Sequence, residues 1–174
     1  MKKGFAFWQV IGFLFVSAGG TLLHFVYEWC NNSTFAGLFS AVNESTWEHM
    51  KLFYFPWLFF AVFEAVLFKG QYDRFWCVKF FGLLAGLLAI PVIYYTYTGV
   101  FGVSVDWFNI TIFFIATAIA FFVETRLLQS RRKCRISAKF ALLIIIILGV
   151  AFWVLTFSPP QIPFFQDPVT KTTS

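Results

Sequence analysis

From Phe80 to Gly99 the chain runs for 20 residues without a charge, and that stretch restricts the fold more than any other. A bilayer core takes about 20 apolar residues in helical form, and backbone immersed in lipid must satisfy its own hydrogen bonds, which a helix does within one segment. Four further apolar runs flank it, at approximately 5–28, 45–68, 104–125 and 138–157. The expected fold is all-α: one polytopic membrane domain over residues 1–174, with five transmembrane helices and a proline-rich tail at 158–174. A composition of 60% hydrophobic and 12% charged residues belongs to a protein whose solvent is lipid.

The first run follows Met1-Lys2-Lys3, and Val16-Ser17-Ala18 offers a weak small-residue cleavage pattern, so a cleaved leader is the alternative to a first span. A retained span is the better reading, because the apolar run continues past Ala18 for long enough to cross. Gly12, Gly19 and Gly20 give this helix positions of close approach. Ser45 followed by Glu48 predicts a capping box at the start of the second span. Pro56 frees the Leu52 carbonyl and predicts a kink there. Lys69 to Lys79 reads as a charged turn, and Tyr94-Tyr95-Thr96-Tyr97 as an aromatic belt at a membrane interface. The tail from Ser158 is too rich in proline for a helix and too aromatic for a plain soluble end, so it is expected at the interface or folded back on the helices.

A net charge of +5 raises the question of nucleic acid. The basic residues instead fall in short clusters between apolar runs, which is membrane topology, and no nucleic-acid partner is expected. With the amino terminus cytoplasmic, eleven of the thirteen Lys and Arg residues lie in the inner segments 1–4, 69–79 and 126–139. The carboxyl terminus is then outside, and the lipid bilayer is the first partner. Arg131 to Arg135 needs no explanation beyond orientation. The three cysteines, Cys30, Cys77 and Cys134, contain no close pair, so neither a CxxC metal site nor a disulfide is indicated.

Polar chemistry concentrates where the first span ends and the second begins. His24 and Glu28 are four apart and share a helical face; Glu44, Glu48, His49 and Lys51 follow after a loop of about fifteen residues. Two such ends meeting as antiparallel helices would gather imidazole and carboxylate groups at the outer membrane surface. Imidazole nitrogen with carboxylate oxygen suits a divalent metal, with His24, Glu28, Glu48 and His49 as the candidate ligands. The same groups could pass protons or bind a cation on its way through. HExxH is excluded, because the position four after His49 is Phe53. Each residue also has a structural reading: Glu48 as a capping acid paired with Lys51, Glu44 at a helix amino terminus, His24 as an interhelical hydrogen bonder. Glu64 stands apart, at a depth where a charge requires a partner, a proton or a cavity. Glu124 is less telling, being next to basic residues and close to water.

The segments His24-Phe25-Val26-Tyr27-Glu28, Asn43-Glu44-Ser45-Thr46-Trp47-Glu48-His49 and Ser158-Pro159-Pro160-Gln161-Ile162-Pro163-Phe164-Phe165-Gln166-Asp167-Pro168 together resemble a family of small prokaryotic integral membrane proteins known only as a domain of unknown function. The resemblance implies five spans and a prokaryotic cell membrane, and it assigns no catalytic role. The leading expectation is a small ion, proton or solute transporter, as a homo-oligomer, using His24, Glu28, Glu44, Glu48, His49 and Glu64 as its pathway. A metal-dependent enzyme at the outer interface is the alternative, and a structural or assembly subunit the third reading.

Overall fold

The computed structural model describes residues 3–68, 74–130, 134, 136–168, 170 and 172. Its regular elements among these residues are all helices, in the order α1 (Lys3–Trp29), α2 (Thr34–Gly37), α3 (Thr46–Leu67), α4 (Phe75–Phe101), α5 (Asp106–Gln129) and α6 (Ala138–Phe157). Five of the helices, all but α2, are long and apolar enough to cross a membrane. Large apolar side chains such as Phe59, Val66, Val92 and Phe122 remain exposed on the outside of the bundle. That is the surface expected where lipid replaces water, since apolar burial gives no advantage over lipid contact.

The central element is α3, which packs against α1, α4, α5 and α6. Its Phe53, Tyr54 and Trp57 are fully enclosed. Close approach depends on small residues. Gly20 of α1 lies where any side chain would strike Phe113 and the Leu52 carbonyl, the same carbonyl that Pro56 leaves without its usual amide partner. On the far side, α6 passes over Tyr54 at Gly149, and the Tyr54 hydroxyl donates to the Ile145 carbonyl at 2.6 Å. A second layer pairs α4 with α5, and α4 ends at Gly102, whose φ of 72° suits a residue without a Cβ.

Several expectations change here. The short helix α2 interrupts what reads as an irregular connection. Phe75 to Lys79 is the first turn of α4, not part of a charged turn, and Lys79 is buried in the bundle. Lys79 therefore does not count among the aqueous positive charges that set orientation. Cys77 and Cys134, far apart in sequence, form a disulfide that ties the start of α4 to the connection before α6; spacing in the chain gave no sign of it. The turn at 69–73 and the basic residues 131–133 and 135 lie outside the described residues. The tail folds back, with Phe165 buried and its ring 5.0 Å from that of Trp47.

Candidate functional site

Antiparallel packing brings the end of α1, the start of α3, the end of α4 and the start of α5 to one end of the bundle. There a cavity of about 560 Å³ opens, lined on one wall by His24, Glu44 and His49 and on the other by Tyr94, Asp106 and Asn109, over a floor of Ile90, Ile112 and Phe113. His24 Nε2 stands 3.6 Å from Glu44 Oε1, and His49 Nε2 stands 3.6 Å from Glu44 Oε2. One ligand atom from each of the three residues fits within a mutual separation of 4.8 Å.

The hydrogen bonds around this trio determine what it can hold. His49 Nδ1 lies 3.0 Å from the Ser45 carbonyl, and since a carbonyl only accepts, that nitrogen carries the proton. In the neutral ring Nε2 is then a lone pair facing a carboxylate oxygen at a distance longer than a normal hydrogen bond. Two acceptors in this relation are satisfied by a cation, either a proton on the ring or a metal ion shared between them. His24 Nδ1 is buried and has no hydrogen-bond partner among the described residues. Ligand atoms around a tetrahedral zinc, at about 2.0–2.1 Å from the metal, lie roughly 3.3 Å from one another. The two 3.6 Å separations, made to different oxygens of Glu44, are near that figure, whereas the set taken one atom per residue spans up to 4.8 Å and would draw together around a metal.

Glu44 sits on a loop, not on a helix, and its position is fixed from several sides. Ser45 N donates to Asn43 Oδ1 at 3.0 Å, Glu44 N donates to Asp167 Oδ2 at 3.4 Å, and Trp47 N donates to the Phe164 carbonyl at 3.3 Å. The tail thus clamps the loop that presents the carboxylate, and Pro168 adds to the cavity wall.

The other residues singled out by sequence stand elsewhere. Glu28 is exposed and outside the trio. Ser45 does cap α3, accepting from Glu48 N at 3.4 Å, but the Glu48 side chain does not return to close a capping box. It turns inward, pairs with Lys51 at 2.5 Å, accepts from Val42 N at 3.0 Å and from Thr156 Oγ1 at 2.8 Å. Lys51 in turn donates to the Gly37 carbonyl at 2.8 Å. This dry network joins α2, α3 and α6 and leaves no ligand atom for the cavity. Glu64 is fully buried near the opposite end, where it pairs with Lys79. Lys79 also holds Glu124, which is buried and not near water as its neighbours in sequence suggest.

Asp106, Asn109 and Tyr94 have no sequence signal of their own, since each looks like an ordinary helix-end or interface residue. Of the buried cluster at the far end the sequence marked only Glu64, by its depth; Gln9 and Lys79 gave no sign of their part in it. A family model described as a family of unknown function (DUF6512) matches residues 2–173. Comparison with curated proteins gives no match, and comparison with solved structures gives none.

Proposed function

The chain belongs to the DUF6512 family, and we propose that it is a divalent-metal-dependent membrane enzyme that hydrolyses an amphiphilic substrate at one surface of a prokaryotic cell membrane. The supporting observation is the approach of two imidazoles and one carboxylate to within 4.8 Å, with the His49 ring held in the tautomer that turns a lone pair toward Glu44. Metal-binding histidines are commonly oriented in this way by a hydrogen bond from the other ring nitrogen.

His24, Glu44 and His49 would hold the metal, and it would supply an activated water or a polarised substrate carbonyl. The opposite wall supplies Asp106 and Asn109 for polar substrate groups, while Ile90, Ile112 and Phe113 receive apolar ones. Among the described residues the cavity lining contains no lysine or arginine, so an ester or amide linkage beside a neutral or cationic headgroup fits better than a free anionic one. By charge distribution this surface is the outer one.

A transport reading draws on the buried Glu64. It meets a packed apolar region, however: between His49 and Glu64 on α3 the side chains of Leu52, Phe53, Phe60 and Ala61 are buried, and between Asn109 and Glu124 on α5 so are Phe113, Ala116 and Phe121. Those layers separate the two polar clusters and favour chemistry at one surface over passage through the bundle.

The test is purification in mild detergent followed by zinc resupply, removal of excess metal, elemental analysis and assay on ester- and amide-linked amphiphiles. About one metal per chain is expected, with both metal and hydrolysis lost in H24A and H49A. Wild-type protein that retains no metal, or variants that retain it equally, would overturn the proposal.

A further inference from the structure

Four helices each send a polar side chain into the bundle near the end away from the cavity: Gln9 from α1, Glu64 from α3, Lys79 from α4 and Glu124 from α5. All four are buried. Lys79 Nζ contacts Oε2 of both carboxylates, and the rings of Phe60, Phe75 and Phe121 surround it at 5.5–5.9 Å. Trp57 Nε1 donates to Glu124 Oε1 at 2.9 Å, and Gln9 Nε2 donates to Glu64 Oε1 at 3.3 Å. Gly82 makes room, since any side chain there would collide with the Glu124 carboxyl group.

Among the described residues the charges of this cluster do not balance. Two carboxylates face one ammonium, and among the described residues Lys79 is the only cation within ion-pairing distance of either. A net negative charge enclosed by apolar side chains at membrane depth is costly. One additional proton makes the cluster neutral. The two carboxylates differ in their surroundings. Glu124 is held by two N–H donors of fixed sense, the Lys79 ammonium and the Trp57 indole, and both prefer an anion. Glu64 faces the Gln9 amide, which can present either end, and the Gln9 carbonyl Oε1 is buried with no donor among the described residues. Turned about its last torsion, that amide offers Oε1 to accept a hydrogen from a protonated Glu64; in the orientation shown it offers N–H to the carboxylate.

We propose that Glu64 is a reversible proton-binding site, with Gln9 as the partner that accommodates both of its states and Lys79–Glu124 as a fixed ion pair beside it. Uptake transfers one proton from water to a Glu64 carboxylate oxygen, and the Gln9 amide turns to accept the resulting O–H. The site stands independently of metal at the far cavity.

Infrared spectroscopy of the protein in lipid nanodiscs tests this. A carboxylic-acid C=O band that shifts in deuterium oxide is expected at neutral pH in wild type and lost in E64Q. E124Q leaves one carboxylate to one ammonium, so Glu64 is expected to take up its proton only at lower pH and the band at neutral pH to weaken. Q9L is expected to keep the band and move it to higher frequency, since the hydrogen bond from the acid is lost; this reads the same site without altering Glu64. Absence of the band in wild type at every pH at which the protein is folded, its survival in E64Q, an undiminished band at neutral pH in E124Q, or an unchanged frequency in Q9L would each overturn the assignment.

Discussion

Lys51 shows how the side chains at the cavity end divide between structure and chemistry. It and Glu48 are almost fully enclosed, and their partners on α2 and α6 satisfy the remaining donors and acceptors. Removing one member of such a pair leaves the other charge buried alone, at a cost of about 3–5 kcal/mol. K51A is therefore expected to lower the thermal unfolding temperature in detergent markedly while leaving the three cavity residues chemically unchanged. K51M combined with E48Q removes both charges and is expected to recover part of the loss. Equal stability of K51A and wild type would show that the pair contributes nothing. In sequence Glu48, and not Glu44, stands among the candidate metal ligands, although both acids lie near the start of the same helix. The fold separates them: Glu48 lies on the α3 face turned toward α6, whereas Glu44 lies on the loop turned toward His24. Side-chain direction at a helix start depends on which neighbour the helix packs against, and one chain's residue order does not contain that.

Among the elements, the helices were the most legible part, because bilayer thickness imposes a length on every crossing segment. The short α2 was not, being four residues without a periodic pattern, and neither was the extension of α4 back to Phe75. Lys79 made that turn look aqueous; it is helical because two carboxylates from α3 and α5 receive the ammonium inside the bundle. The tail is the element with the most direct bearing on the site. Its aromatic pair packs on Trp47, with ring centres 5.0 and 6.0 Å away, and Asp167 and Phe164 hold the backbone around Glu44. Truncation after Pro160 is expected to leave the five long helices intact by circular dichroism and to weaken zinc binding by roughly 10- to 100-fold, the range seen when groups that orient a metal ligand are removed. Unchanged zinc affinity in a folded, truncated protein would mean that the tail covers the bundle without positioning Glu44.

At the scale of the molecule, the bundle keeps two polar centres at opposite ends of an aromatic core, one open to a cavity and one sealed. Neither centre is contiguous in sequence: the open one takes groups from α1, the loop before α3, and α3 itself, with α4 and α5 forming the facing wall. The first three of these are proposed to meet around a metal. X-ray absorption spectroscopy of the zinc-loaded protein is the most direct measurement of that. It is expected to give a low-coordinate site with two imidazoles and one or more oxygens at about 2.0–2.1 Å, with the imidazole signal reduced in both H24A and H49A. A shell of water oxygens without imidazole, a shell containing sulfur, or an imidazole signal indifferent to both substitutions would contradict it.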